Sequence, residues 1–397
     1  MSFKLRTLKS VDLKNKRVLL RLDLNVPQDE NGMITERTRI LETLPTLRYL
    51  LEQGAKIIVL SHLGRPDGKK VEKYKLDKVA EALSEELGQP VRKLDDCLGE
   101  VVTTAITQMN LGEVIMLENT RFYPEEEAND DNFSKQLAAL GDLFVSDAFG
   151  TVHRAHASTA GIAKYLPAYA GLLLEKEVTI LSGLLENPAK PMTLIAGGAK
   201  IDTKIGILSK FLDLADTILI GGALANTFLA AEDKEIGFSL SENDKIPVAK
   251  KLLKDAKEKG VQILLPVDVC VAKEISEHAE TQIVSVNEVQ KDMKILDLGT
   301  QTIENFIGVL KNSKTIVWNG PMGLHEMVAF ETGTRRIAEA VAESSAATIL
   351  GGGDTIDAIH KFHISPGKFT HISTGGGAML EFLQGNSLPG VEVLLDK

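Results

Sequence analysis

Residues 194–206 read LIAGGAKIDTKIG. An apolar run, two glycines and a lysine are the ingredients of a phosphate loop. The spacing is not G-x-x-x-x-G-K-[ST], because no Ser or Thr follows Lys200 and a second lysine, Lys204, sits four residues on. A helix opening after the glycines would set both lysines on one face. That face would supply positive charge, but not the hydroxyl with which a phosphate loop holds its metal. Gly221-Gly222, Gly320 with Gly323, Gly351–Gly353 and Gly375–Gly377 follow apolar runs in the same half of the chain. Glycine lets backbone N–H groups approach a ligand, and the helix N-terminus that follows favours an anion. One such pair is more often a tight turn than a ligand loop. Five clusters in one half point to a polyphosphate, a nucleotide first among them.

The arginines do the opposite. Ten of twelve lie at or before residue 154, so that half is suited to a smaller, strongly anionic molecule gripped by guanidinium forks. Several sit in compact motifs. RLDLNVP (21–27) offers Asp23 and Asn25, read as sharing one face at a strand end, fit for a hydroxyl or carboxylate or else forming a plain polar edge. RTRI (37–40) places Arg39 before a helix, and SHLGRP (61–66) puts His62 and Arg65 in a turn. ENTRFYPEEE (118–127) offers Arg121, and DAFGTVHRAHAST (147–159) sets Arg154 between His153 and His156. With no third ligand at useful spacing, that histidine pair argues against zinc and fits core or supporting donors.

In the second half, WNGPMGLHE (318–326) carries Asn319 and Glu326. An acid there either bonds ribose hydroxyls or caps the next helix. GGGDTIDA (351–358) puts Asp354 and Thr355 at a helix start. Asp354 is an N-cap or a metal-facing carboxylate. The second is favoured, since Mg²⁺ accompanies ATP and takes hard oxygen ligands.

Positioning these residues takes alternating strands and helices. Segments 17–24, 55–62, 113–119, 143–149, 192–198, 217–222, 262–271, 314–320, 347–353 and 369–377 read as strands. Helical spacing fills 40–53, 76–87, 129–140, 204–212, 244–259, 302–312, 333–343, 355–362 and 378–384. Continuous β-branched runs separated by helices imply parallel sheets covered on both faces. The fold class is therefore α/β, with two Rossmann-like domains, each a mainly parallel sheet flanked by helices, joined by a hinge helix with a cleft between. The expected division is 1–171, a connecting helix over 172–188 ended by Asn187-Pro188, and 189–384. The tail 385–397 belongs to no βα unit.

Bulk properties narrow the function. At 397 residues the chain exceeds one ordinary core. A net charge of −10 argues against broad nucleic-acid or anionic-membrane binding. Cys97 and Cys270 stand far apart, which fits a reducing cytoplasm and not a disulfide framework. The N-terminus lacks a secretory apolar core, and no run reaches the ~20 apolar residues of a membrane helix. The nearest, TILIGGALANTFLAA, is short and interrupted.

Taken in order, RLDLNVP, SHLGRP, ENTRFYPEEE, DAFGTVHRAHAST, GGAKIDTKI, WNGPMG, GGGDT and STGGGA span the chain and together resemble the phosphoglycerate kinases. The resemblance implies a monomeric, cytoplasmic, two-domain hinge enzyme that moves phosphate between ATP and 3-phosphoglycerate with Mg²⁺. Its small-molecule partners are ATP/ADP and 3-phosphoglycerate/1,3-bisphosphoglycerate, with no nucleic acid and no membrane. By motif match, Asp23, Asn25, Arg39, His62, Leu63, Gly64, Arg65, Arg121 and Arg154 hold the acid. Gly198, Lys200, Lys204, Gly221, Gly222, Asn319, Glu326, Gly352, Gly353, Asp354 and Thr355 hold the nucleotide, with Asn319 and Glu326 near the ribose and Asp354 on the metal. Arg39, Lys200 and Gly376 carry the catalytic roles. The resemblance also returns the tail to the N-terminal domain. His325 departs from the family's usual Phe. Two rival readings have less behind them. A nicotinamide oxidoreductase lacks its G-x-G-x-x-G, and a hinge-type binding protein leaves Lys200 and the glycine clusters unexplained.

Overall fold

The computed structural model describes residues 4–396. It divides into two compact units, Met1–Ser182 with Asn386–Lys397, and Gly183–Gly385. The division falls inside one helix, Leu172–Glu186, which runs from the first unit into the second.

In the first unit, strands β1 (Arg17–Arg21), β2 (Lys56–Leu60), β3 (Val91–Lys93), β4 (Val114–Met116), β5 (Leu143–Ser146) and β6 (Ala168–Ala170) form one parallel sheet in the order β3-β4-β2-β1-β5-β6. Its apolar runs are buried on both faces. Val18, Leu20, Ile57 and Val59 pack with Ile40, Leu44 and Leu47 of helix Thr38–Glu52 and with Val79 and Leu83 of helix Asp77–Leu87. Each such side chain contributes about 1.5–3 kcal/mol by leaving water. β1 ends at Arg21, three residues earlier than its apolar pattern predicts. There the Ser61 hydroxyl takes over from the ladder, donating to Leu22 O (3.0 Å) and accepting from Leu24 N (3.1 Å). Asp23 and Asn25 therefore lie on a loop, not on a strand face. The segment after Asn386 pairs with the start of the chain, through Asp396 N to Lys4 O (2.8 Å) and Arg6 N to Leu394 O (2.9 Å).

The second unit repeats the plan. Strands β7 (Met192–Ala196), β8 (Thr217–Ile220), β9 (Gln262–Leu264), β13 (Thr315–Asn319), β14 (Ala347–Gly351) and β15 (His371–Ile372) make a parallel sheet in the order β15-β14-β13-β7-β8-β9. A smaller antiparallel sheet, β11-β10-β12, is built from β10 (Asp268–Ala272), β11 (Gln282–Ser285) and β12 (Lys294–Leu298). The expected strand over 262–271 is thus two strands in two sheets, broken at Pro266, which has no N–H to give a ladder. GALANTFLAA, the second part of the apolar run noted above, is the helix Gly222–Ala231, largely apolar because most of it is buried, Asn226 and Thr227 included. No helix among the described residues is long and apolar enough to cross a membrane.

In both sheets the central strand has neighbours that leave on opposite sides: β1 between β2 and β5, and β7 between β13 and β8. Loops leaving the carboxyl ends at such a switch point diverge and open a crevice. They are the loops that carry the motifs.

Candidate active site

At the carboxyl edge of the first sheet, Asp23 (7% exposed) forms an ion pair with Arg39 at the start of helix Thr38–Glu52. Its other oxygen lies 4.0 Å from His62 Nδ1. Asn25 accepts from Gly64 N (2.8 Å), and Arg121 donates to Gly64 O (2.9 Å), so three motifs meet on one glycine. Gly64 has φ +63°, and a Cβ there would stand 2.3 Å from the Tyr74 ring. Leu63 is buried in the core, with its carbonyl accepting from Asn119 Nδ2. Arg65 and Arg154 are exposed. Arg154 Nε contacts His153 Nε2 at 3.2 Å.

The cations lie close enough to act on one another. Burial, then Arg21, Arg121, Arg39 and His156, holds the His62 imidazole well below its ordinary pKa of 6.5. Burial, then Arg121, Arg21 and Arg154, brings His156 to about 4. Burial also lowers Arg121, with Glu127 opposing and Arg154 adding to the effect. Beneath them lies a buried polar layer: Arg21, Glu126, Ser158 and His156. The sequence carries two signs of it, Arg21 as a charge inside an apolar strand and His156 as a core or supporting donor.

At the carboxyl edge of the second sheet two hollows adjoin. One, of about 380 Å³, is mainly apolar, lined by Phe238, Leu240, Pro266, Ile275, Leu296 and Leu324, with Gly222 and Glu326 at its edges. The other, of about 310 Å³, is lined by Lys200, Lys204, Asn319, Gly352, Gly353, Thr355, Gly376 and Gly377. Gly198, Ala199 and Asp354 line both. The glycines are required by backbone proximity. Gly198 N donates to Pro321 O (2.8 Å), Gly222 N to Met322 O (2.8 Å) and Leu224 N to Gly198 O (2.9 Å). A Cβ on Gly222, at φ +63°, would lie 2.7 Å from Gly198 N, and one on Gly221 would meet Met322 Sδ at 2.6 Å. Gly221 itself is buried at the start of helix Gly222–Ala231.

Other placements differ from expectation. Asn319 and Glu326 do not line one hollow. Asn319 is buried, donating to Gly351 O (2.7 Å), while Gly320 N donates to Thr355 Oγ1 (2.7 Å), so Asn319 and Thr355 brace the glycine loops. Glu326 is exposed at the apolar hollow. The two lysines do not share a helix face. Helix Ile205–Phe211 starts after Lys204, and buried Ile201 holds the preceding turn by accepting from Lys204 N (2.7 Å) and Ile205 N (2.8 Å). Lys200 is exposed. Lys204 is 7% exposed, and burial lowers its pKa to about 8 against the pull of Asp354. Asp354 is an exposed carboxylate in the first turn of helix Gly353–Lys361, whose N-cap is Gly352 and not Asp354.

The phosphoglycerate kinase family model matches residues 8–386. A phosphoglycerate kinase of Dictyoglomus turgidum is 54% identical over 391 residues, covering 98% of each chain. One of Pelotomaculum thermopropionicum is 51% identical over 392 residues, covering 99% of each. Among solved structures, the phosphoglycerate kinase of Coxiella burnetii matches with a TM-score of 0.88 at 43% identity, and that of Pyrococcus horikoshii with 0.86 at 34%, each covering 98% of both chains. The chain belongs to the phosphoglycerate kinase family.

Proposed function

We propose a division of labour for the family's reaction, the reversible transfer of a phosphoryl group between ATP and the carboxylate of 3-phosphoglycerate to give 1,3-bisphosphoglycerate and ADP. The first unit holds the acid on Asp23, Asn25, His62, Arg65, Arg121 and Arg154. The second holds the nucleotide, base in the apolar hollow and phosphates among Lys200, Lys204 and the glycine loops. The adjoining hollows carry this reading: an apolar chamber opening onto a cationic, glycine-lined one is the outline of a nucleoside polyphosphate.

The acceptor carboxylate is ionised at neutral pH, so no general base is needed. His62, buried and held neutral, is suited to hydrogen bonding and not to proton abstraction. What remains is to bring two anions into line and to spread the charge that develops. Arg39 does this from the first unit. Asp23 fixes one of its Nη atoms and leaves the rest of the fork for the transferring group. Lys200 and the backbone N–H groups around Gly376 do it from the second. Because the substrates occupy different units, the units must close on one another before transfer, excluding water.

Mg²⁺ fits the donor set. Asp354 is a single exposed carboxylate on both hollows, and Mg²⁺ takes one or two carboxylates together with substrate phosphates and water. Bound there, it would neutralise phosphate charge. The chain works as a monomer in the cytoplasm on this reading.

The test is turnover of ATP, 3-phosphoglycerate and Mg²⁺, followed as ADP release with the acyl phosphate trapped by hydroxylamine. Arg39→Ala should lower kcat by about 10²–10³-fold, as the loss of one preorganised charge donor does, with ATP affinity little changed. A loss confined to ATP affinity would remove Arg39 from the transferring group.

A further inference from the structure

The buried layer under the arginines has a direction. Arg21, at the end of β1, is 1% exposed and spends its guanidinium on three acceptors. Nε donates to Ser158 Oγ (2.8 Å), Nη1 to Leu22 O, and Nη2 to His62 Nδ1 (3.2 Å). Ser158, fully buried, donates its N–H to Glu126 Oε2 (2.9 Å) and its one hydroxyl proton to Glu126 Oε1 (2.5 Å). With that proton committed, Oγ can only accept from Arg21. A guanidinium has donors alone and keeps its charge in proteins. His62 Nδ1 must therefore offer its lone pair, and the ring proton belongs on Nε2.

We infer that Glu126, Ser158 and Arg21 form a positioning relay that fixes His62 as the neutral Nε2–H tautomer, so that this ring can act on a ligand only as a donor. Glu126 and Ser158 hold the guanidinium in place, and the guanidinium, a donor only, sets the lone pair that it meets on Nδ1. A proton on Nδ1 would turn donor against donor at 3.2 Å.

The charges packed around the ring agree. Arg21 on β1, Arg39 on helix Thr38–Glu52, Arg121 on the turn Thr120–Phe122 and His156 before residue 157 all oppose a second ring proton. Asp23, whose Oδ1 lies 4.0 Å from Nδ1, is the opposing anion, and it is already paired with Arg39. Burial pushes the imidazole in the same direction as the arginines. The consequence is a ligand whose hydrogen-bond sense stays fixed through the pH range in which a free histidine would titrate. That His62 meets the anionic acid rests on the division of labour proposed above; the tautomer does not.

The test separates the two. In protein labelled with nitrogen-15 histidine, long-range proton–nitrogen correlation reads each ring's tautomer, with His62 assigned by its loss in His62→Gln. The expected pattern is an unprotonated Nδ1 and a protonated Nε2, unchanged between about pH 5 and 8. A wild-type His62 that carries the Nδ1–H tautomer, or titrates near its ordinary pKa, overturns the relay, and this measurement needs no variant beyond the one used for assignment. Ser158→Ala should mix the tautomers and raise the KM for 3-phosphoglycerate by about tenfold, leaving the KM for ATP in place, and Ser158→Thr should restore both. An unchanged tautomer in Ser158→Ala removes Ser158 and Glu126 from the relay. A mixed tautomer with an unmoved 3-phosphoglycerate KM upholds the relay and overturns the placement of His62 on the substrate.

Discussion

Lys204 exposes the conflict between folding and binding in the second unit. The residue is 7% exposed, and burial lowers its pKa from 10.5 to about 8. At about 1.4 kcal/mol per pH unit, that corresponds to a cost on the order of 3 kcal/mol whenever the lysine is charged in the folded state. The sign follows from linkage. Below pH 8 the lysine is charged folded and unfolded, and the cost is present in full. As the pH rises from about 8 to 10.5, the folded chain sheds the proton while the unfolded chain keeps it, and the cost disappears. Lys204→Met retains the aliphatic stem and removes the charge. At pH 7 the ligand-free variant should be more stable by about 2–3 kcal/mol, with the difference gone near pH 10.5. Nucleotide phosphates should restore the charge, so binding above pH 8 takes up a proton. Calorimetry at about pH 8.5 in buffers of different ionisation enthalpy reads that uptake directly, and urea midpoints read the stability. The variant should bind nucleotide at least about tenfold more weakly. A Lys204→Met protein less stable than its parent at pH 7, or nucleotide binding without proton uptake, refutes the reasoning.

Asp354→Asn should raise the Mg²⁺ concentration needed for half-maximal rate by about tenfold and leave the KM for 3-phosphoglycerate unchanged; it should also lower the Lys204 pKa further, since Asp354 is what opposes burial there. Gly222→Ala places a Cβ 2.7–2.8 Å from the backbone of Gly198 and Pro321 at φ +63°, and should raise the nucleotide KM about tenfold or more with the first unit's substrate untouched. Asp147, fully buried, accepts from Leu174 N (3.0 Å) at the start of helix Leu172–Glu186, and burial raises its pKa to about 7. A raised carboxylate binds its proton more tightly when folded, so its contribution falls as pH climbs from about 4 to 7. Asp147→Asn should flatten that segment of the urea-midpoint profile, and an unchanged slope would show that Asp147 is ionised throughout.

The two parallel sheets were legible because buried strands read as continuous β-branched runs, and KIIVL and TILI are unambiguous. Strands β3, VRK, and β6, AYA, have three residues each and lack the run of large apolar residues that marks the equally short β4, VIM. The antiparallel sheet escaped for another reason. Its strand Gln282–Ser285 is largely exposed, so nothing in its side chains records burial. The same limit separates the motifs from the apolar hollow. Arginine and glycine clusters announce themselves by type. The apolar hollow is assembled from Phe238, Leu240, Pro266, Ile275 and Leu296, ordinary residues of four separate stretches that only tertiary packing brings together. Phe238 and Leu240 are 71% and 63% exposed, which marks a lining surface once the fold is known and marks nothing before.

The lysine pair at 200 and 204 shows what spacing leaves open. Four residues apart would mean one shared helix face, but buried Ile201 turns the chain first. The two ammonium groups then enter different media. Lys200, in water, loses much of its reach to screening, because at physiological salt a charge fades over ~8 Å. Lys204, out of water, keeps its field and pays in stability. The chain as a whole carries a charge of −10, so its long-range field repels the anions it must hold. Affinity therefore has to come from donors at contact distance. On the division of labour proposed above, the first unit would meet this with guanidinium groups that carboxylates already hold in place, Arg39 on Asp23 and Arg121 on Glu127. The second would meet it with backbone N–H groups, which carry no net charge to bury, and with Lys204, for which desolvation is the means of strengthening the interaction.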